Sequence, residues 1–429
     1  MLGFLPIIMV FILYFSGIPV AYALFAASLF YFGVIDNNSP VDLIFQKYVT
    51  SAQSFPLLAI PFFIMAGSVM NYAGISEKLM NVADVLTGHM VGGLAQSNVL
   101  LSCLMGGVSG SANADAAMEC KMLVPEMEKR GYSKGFSAAI TAASSAVTPI
   151  IPPGIDLIIY ALIAQVSVAQ MFAAAYLPGF TIAACLMISV HFIAKKRGYL
   201  PTREKRASFI EIVKQCADSL WALLFPLGIV LGIRIGVFTP SEAGAFAVFY
   251  CTLVGIFIYK GLKWEHLPKI FLETIDGTAT VILVIVAASV FGYYMTWENI
   301  PKMLTELLLG ITTNKYIMLM MVNVLLLVMG MFLEGGAALI IVAPLLIPVV
   351  TQLGVSPIHF GAMCIVNIMI GGLTPPFGSM MFTCMSITGC KLGDFVKECF
   401  PFIIAEIIGL LLVTFIEPIS MFLPNLIFG

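Results

Sequence analysis

The chain has 429 residues, of which 60% are hydrophobic and only 10% charged, with a mean hydropathy of +1.03. Soluble domains are about half apolar and about a quarter charged, so a single core beneath a water-facing surface is excluded. A net charge of −2 says nothing about nucleic acid or acidic partners, and no nucleic-acid partner is expected.

The apolar runs are continuous and do not alternate in segments of about ten residues, which argues against a β-barrel. Helices are the remaining way to satisfy the backbone in lipid, so the chain reads as an all-α polytopic membrane protein. The nine cysteines form no CxxC pair and read as small apolar packing residues. His89, His191, His266 and His359 show no ligand spacing, so neither a transition metal nor a cofactor is expected.

In chain order, residues 1–56 read as N-terminal scaffold helices. Their opening "MLGFLPIIMVFILYFSGIPVAYALF" lacks a basic n-region and a cleavage pattern, so it reads as a retained first helix. Residues 57–195 form a first repeat. Within it, Leu94–Met105 and Ala114–Val124 flank the small, polar stretch "GGVSGSANADAAM" at 106–118. Twelve helical residues rise about 18 Å, short of the roughly 30 Å hydrocarbon core, which predicts a re-entrant hairpin. That hairpin covers about 91–124. Thr148-Pro149 then precedes Pro152-Pro153-Gly154 inside a helix of about 136–165. Proline removes a donor and clashes with the preceding turn, so this helix is predicted to break.

Residues 196–271 read as a basic linker and a two-helix insert. Seven of the 21 lysines and arginines lie between Lys195 and Lys214, and a second basic connection occupies 259–269. Short basic loops stay in the cytoplasm, which turns "RIGVFTPSEAG" (234–244) outward. Residues 272–429 form a second repeat, with a hairpin of about 315–352 around "FLEGGAAL" and a helix of about 358–390 broken at Thr374-Pro375-Pro376. The repeats align in order: "LVPEMEKRGYS" (123–133) with "LIPVVTQLGVS" (346–356), and "AVTPIIPPG" with "GLTPPFG". The insert would let the second repeat run inverted relative to the first.

Two hairpin tips and two broken helices at corresponding positions point to a midplane substrate and ion site in a secondary transporter. Hard cations take oxygen ligands, and hydroxyls with unwound carbonyls suit Na⁺. One Na⁺ is expected among Ser109, Ser111, Asn113, Ser145 and Thr148, and a second among Gly335, Gly336, Gly372 and Thr374. The half-helices that follow tips and breaks offer free N–H groups and positive dipole ends to a carboxylate. Ser111, Pro153, Gly154, Pro376 and Gly378 are therefore candidate substrate contacts. Asp115, Asp156 and Glu334 join them, because an acid at membrane depth is costly and functional by default. Each of these acids could equally brace the structure, and single serines or glycines often only allow close packing.

A proton-coupled organic-anion transporter is the alternative, with Asp115 as its coupling group. A membrane-embedded serine enzyme would need a base beside Ser109 or Ser111, and neither His89 nor His191 sits in a motif. The chain is not expected to be an enzyme, and it carries no phosphate-binding loop.

"LLAIPFFIMAG" (57–67), "GGVSGSANADAA" (106–117), "PIIPPGI" (149–155), "FTPSEAGAFAVFY" (238–250) and "GGLTPPFG" (371–378) resemble the large membrane subunit of TRAP transporters, the tripartite ATP-independent periplasmic transporters. The resemblance implies Na⁺-coupled import of an organic acid (a sugar acid such as sialic acid, or a C4-dicarboxylate) across the bacterial inner membrane. It also implies an elevator, in which a transport domain of hairpins and broken helices slides against a scaffold. The implied partners are a small four-helix membrane subunit on a separate chain, a periplasmic substrate-binding protein and the lipid bilayer. The chain departs from the family pattern at Asp156, where an aliphatic, small or proline residue is usual, and at Glu334, where Asp is common.

Overall fold

Proline and glycine cut the apolar sequence into helices. The computed structural model describes residues 2–36, 42–53, 55–106 and 110–429, and among these only helices, turns and loops occur. The first helices are Leu5–Phe15 (α1), Val20–Phe30 (α2), Asp42–Ala52 (α3) and Ala59–Tyr72 (α4). Pro6 sits in the first turn of α1, where a missing N–H goes unnoticed. Ile75–Thr87 (α5) leaves α4 at 71°, through Gly74 with φ +79°, a left-handed turn that a side chain would strain.

The next five helices are Gly93–Gly106 (α6), Ala112–Lys129 (α7), Lys134–Ser145 (α8), Ile155–Ala164 (α9) and Val168–Arg197 (α10). Then come Phe209–Asp218 (α11), Leu220–Arg234 (α12), Pro240–Leu253 (α13), Leu267–Trp297 (α14) and Ile300–Ile311 (α15). The chain closes with Lys315–Phe332 (α16), Gly335–Gln352 (α17), Pro357–Leu373 (α18), Ser379–Thr388 (α19), Leu392–Phe415 (α20) and Pro418–Phe428 (α21). The series α16–α20 repeats α6–α10 in order and in the placement of its breaks. Six helices among the described residues are long and apolar enough to cross a membrane: α10, α13 with its last turn, α14, α16, α17 and α20. The protein is a polytopic α-helical membrane protein.

One sequence expectation changes here. The second arm of the first hairpin is longer than the pattern predicts, α7 continuing through Pro125 to Lys129, while α16 and α17, 18 residues each, fill the expected 315–352. Eighteen residues rise about 27 Å, close to the hydrocarbon thickness. An internal proline removes one hydrogen bond, but the turns beyond it keep theirs, so α7, α10, α17 and α20 all carry prolines without ending. The arms are made into hairpins by their short links, which are Leu333 and Glu334 in the second repeat.

At each broken helix the backbone behaves as proline dictates. Before Pro149 the bonds tighten to the three-residue spacing, Val147 N–H to the Ser144 carbonyl at 2.9 Å and Thr148 N–H to that of Ser145 at 3.3 Å. Pro152-Pro153 and Pro375-Pro376 are both cis.

The helices pack as two bodies. In one, α4 and α14 lie together, with α13 on α4 and with α2 and α3 on α14. The other contains both hairpins, both broken helices, α10 and α20. Its contacts are exchanged when the repeats are exchanged: α6 packs on α8 and α16 on α18, while α8 meets α20 and α18 meets α10. The post-break halves cross over, α9 packing on α17 and α19 on α7. Small residues permit the tightest crossings. A Cβ on Gly371 would lie 2.6 Å from the backbone of Gly330, and one on Gly106 would lie 2.6 Å from Cβ of Ile151.

Polar ties also recur between repeats. In α6, Asn98 donates to Thr141 Oγ1 at 2.8 Å and accepts from Ser144 Oγ at 3.1 Å. In α16, Asn323 accepts from Asn367 Nδ2 at 2.8 Å and donates to Thr414 Oγ1 at 3.0 Å. All are buried, where an unmade hydrogen bond costs about 1–3 kcal/mol, so these ties fix how each hairpin sits on its broken helix.

Candidate functional site

The crossover of α9 and α17, and of α7 and α19, brings four helix N-termini to the middle of the second body. Their N-caps are Ser111 for α7, Gly154 for α9, Glu334 for α17 and Gly378 for α19. Ser111 Oγ accepts from Ala114 N–H at 3.4 Å, and no side chain caps the other three. First-turn N–H groups have no partner within their helix, so these uncapped starts carry donors that a neighbouring side chain or a ligand can take.

A cavity of about 550 Å³ lies in front of these helix starts, against α4 and α14 of the other body. The tips supply Ser111, Asn113 and Glu334–Ala337, the broken helices supply Asp156, Gly372 and Ser379, and the other body supplies Ser68, Asn71, Glu273 and Asp276. Asn113 Oδ1 is buried with no hydrogen-bond partner among the described residues. Glu273 is held on the wall by Tyr72 Oη, which donates to Oε1 at 2.7 Å, and by the hydroxyl of Ser68. Four carboxylates and no lysine, arginine or histidine line this space among the described residues.

The residues singled out from sequence divide into two groups. Ser111, Asn113, Asp156, Glu334, Gly335, Gly336 and Gly372 all line the cavity. Ser109 lies outside the described residues. Ser145 is turned away, donating to the Thr141 carbonyl at 2.7 Å and to Glu119 Oε2 at 3.3 Å. Thr148 donates to the Ser102 carbonyl at 3.3 Å, and Thr374 to the Ile370 carbonyl at 2.7 Å. These three hydroxyls lie near a proline break in sequence, but Ser145 and Thr148 are fully buried in the packing and Thr374 bonds back to its own helix. Asp115, Pro153 and Gly154 are buried without lining the cavity, and Pro376 and Gly378 do not line it either. At Gly154 and Gly378 the backbone starts of α9 and α19 can still reach a ligand, because an N-terminus acts through N–H groups and not through side chains.

Three buried or cavity-lining acids escaped the sequence reading. Glu273 and Asp276 belong to the long apolar helix α14, and an acid inside such a run was a usable signal. Glu119 is fully buried between α6, α7 and α8. It accepts from Ser102 at 2.9 Å, from Ser145 at 3.3 Å and from Ser144 at 3.4 Å. Four polar residues of three helices thus close a network behind the first tip.

A family model described as the tripartite ATP-independent periplasmic transporter, DctM component, matches residues 7–419. The chain belongs to this transporter family. It is 35% identical, over 97% of both chains, to the sialic acid TRAP transporter large permease protein SiaM of Vibrio cholerae. It is 32% identical, over 88% of both chains, to the C4-dicarboxylate TRAP transporter large permease protein DctM of Pseudomonas aeruginosa. Its fold is shared with the YdaH transporter of Alcanivorax borkumensis, at a TM-score of 0.58 and 14% identity over 87% of each chain. The chain is therefore a TRAP large permease, a multi-pass membrane transporter component and not an enzyme.

Proposed function

We propose that this TRAP large permease couples Na⁺ entry to import of an organic acid, a sugar acid such as sialic acid or a C4-dicarboxylate, across the bacterial inner membrane. The observation that carries this reading is a cavity shared by four helix N-termini and lacking any basic side chain among its described lining. An anion there must draw its compensation from helix ends and from cations that enter with it. Ser111, Asn113 and Gly372, in the last turn of α18, stand at the cavity with oxygens of the hard, neutral kind that Na⁺ accepts, while Gly335 and Gly336 open α17 and present N–H groups there. No other cofactor enters the scheme. A small four-helix membrane subunit and a periplasmic substrate-binding protein complete the transporter, as the family description, tripartite and periplasmic, supports.

The two-body packing supports an elevator. The cavity lies at the boundary between the α4/α14 body and the body of hairpins, so sliding one against the other would carry the cavity's contents with the hairpins.

The test is uptake into proteoliposomes that contain both membrane subunits and receive loaded binding protein. Ser111→Ala is expected to raise the Na⁺ concentration for half-maximal uptake about tenfold, the scale for losing support at a metal site. Ser111→Thr keeps the hydroxyl and should stay near the parent value. An unchanged Na⁺ dependence in Ser111→Ala, or uptake driven by a pH gradient without Na⁺, would overturn the proposal.

A further inference from the structure

The cavity presents an anion with two pairs of helix N-termini, and the protein has already filled one of them. α9 and α17 pack on each other, and Asp156, at the second position of α9, lies against the first turn of α17. Its Oδ2 is 3.2 Å from where a Cβ of Gly335 would stand, and its Oδ1 is 3.5 Å from that of Gly336. Glu334, the N-cap of α17, brings a second carboxyl group to the same part of the cavity. The α7 and α19 pair differs. Ser111, Asn113, Ser379, Met380 and Gly372 line the cavity there and are neutral, and Asp115, the acid in the first turn of α7, is buried without lining it.

A helix N-terminus stabilises an anion through its dipole and its free N–H groups. The carboxyl group of Asp156 stands at the start of α17 and within the first turn of α9, where such an anion would sit. A ligand carboxylate arriving at the same end would meet two carboxylates in a confined space where like charges repel. Hydroxyl groups arriving there would donate hydrogen bonds to both, and charge-assisted bonds of this kind are the strong ones.

We propose that Asp156 determines specificity by occupying one of two anion seats. The permease's ligand then carries a single carboxylate, received by the α7 and α19 helix starts. At its other end it presents hydroxyl donors to Asp156 and Glu334 in place of a second carboxylate. This deepens the proposed function and rests on it for the location of the ligand, but not for the identity of the coupling ion.

The experiment measures binding of D-gluconate and of succinate to the purified two-subunit membrane complex in Na⁺, by equilibrium dialysis. Gluconate is a hydroxylated monocarboxylate, and succinate has a carboxylate at each end. The parent protein should bind gluconate at least tenfold more tightly than succinate. Asp156→Asn and Asp156→Ser should each tighten succinate binding about tenfold, with Asn keeping the side-chain volume as a check on folding. A parent that binds succinate as tightly as gluconate, or variants that leave succinate binding where it was, would overturn the assignment. So would a complex in which neither parent nor variants bind either acid. Loss of the Na⁺ response in both variants without any gain for succinate would make Asp156 an ion ligand and equally overturn it. A gain of succinate binding that is indifferent to Na⁺ would uphold the seat and overturn the sodium coupling, so the two readings fail separately.

Discussion

Gly371→Ala is expected to be among the most damaging single-methyl additions in this chain. The new Cβ would lie 2.6 Å from both Cα and C of Gly330 and 3.0 Å from the Leu327 carbonyl. All three atoms are backbone, so no side chain can move aside, and α16 and α18 would have to separate. Overpacking in a close-packed interior costs about 1–3 kcal/mol and occasionally more, and a backbone–backbone clash belongs at about 3 kcal/mol or above. The measurement is the melting temperature and monodispersity of the purified complex. Gly372→Ala provides the contrast, because its Cβ would meet only Met380 Cε at 3.2 Å and Ser379 Oγ at 3.7 Å, both flexible ends. Equal melting temperatures for the two variants would refute the close-crossing argument.

Glu119→Ala should also lower stability, by about 2–4 kcal/mol, while leaving the Na⁺ response intact. The carboxylate is fully buried and takes hydrogen bonds from serines of α6 and α8. Removing it leaves a void among three helices and takes away a shared acceptor, and each effect alone costs kilocalories. The serines keep part of their bonding, since Ser145 also reaches the Thr141 carbonyl and Ser102 that of Asn98, which limits the loss. Glu119→Gln keeps the volume and one acceptor oxygen and should recover most of the stability. Thermal unfolding reads the first effect and sodium-dependent uptake the second. A Glu119→Ala complex with parental stability and a shifted Na⁺ requirement would show an ion ligand in place of a brace.

Much of the architecture is legible because its signals are local. "GGVSGSANADAAM" and "FLEGGAAL" mark the hairpin tips, since a cluster of glycines and polar residues interrupts an apolar run, and a break at membrane depth needs protein or a cavity to cover it. Thr-Pro marks both breaks, because a proline's missing donor acts within one turn. The length of α7 was less legible, as Pro125 sits inside a helix that continues past it.

The site divides along the same line. Asp156, Glu334, Gly335 and Gly372 line the cavity, whereas Asp115, Gly154 and Gly378, equally close to a tip or break, do not. Ser145, Thr148 and Thr374 sit close to those breaks in sequence but bond to backbone carbonyls. Nearness to a proline says nothing about helical phase.

By itself, then, the sequence determined a helical membrane protein with two repeats, two tips, two breaks and a family. Only the tertiary structure decided that α9 pairs with α17 and α7 with α19, that Glu119 closes a network behind the first tip, and that Asp156 stands at the start of a helix from the other repeat. Periodicity and punctuation report on residues a few positions apart. Asp156 and Gly335 are brought together by packing across the whole chain, and no local pattern carries that information.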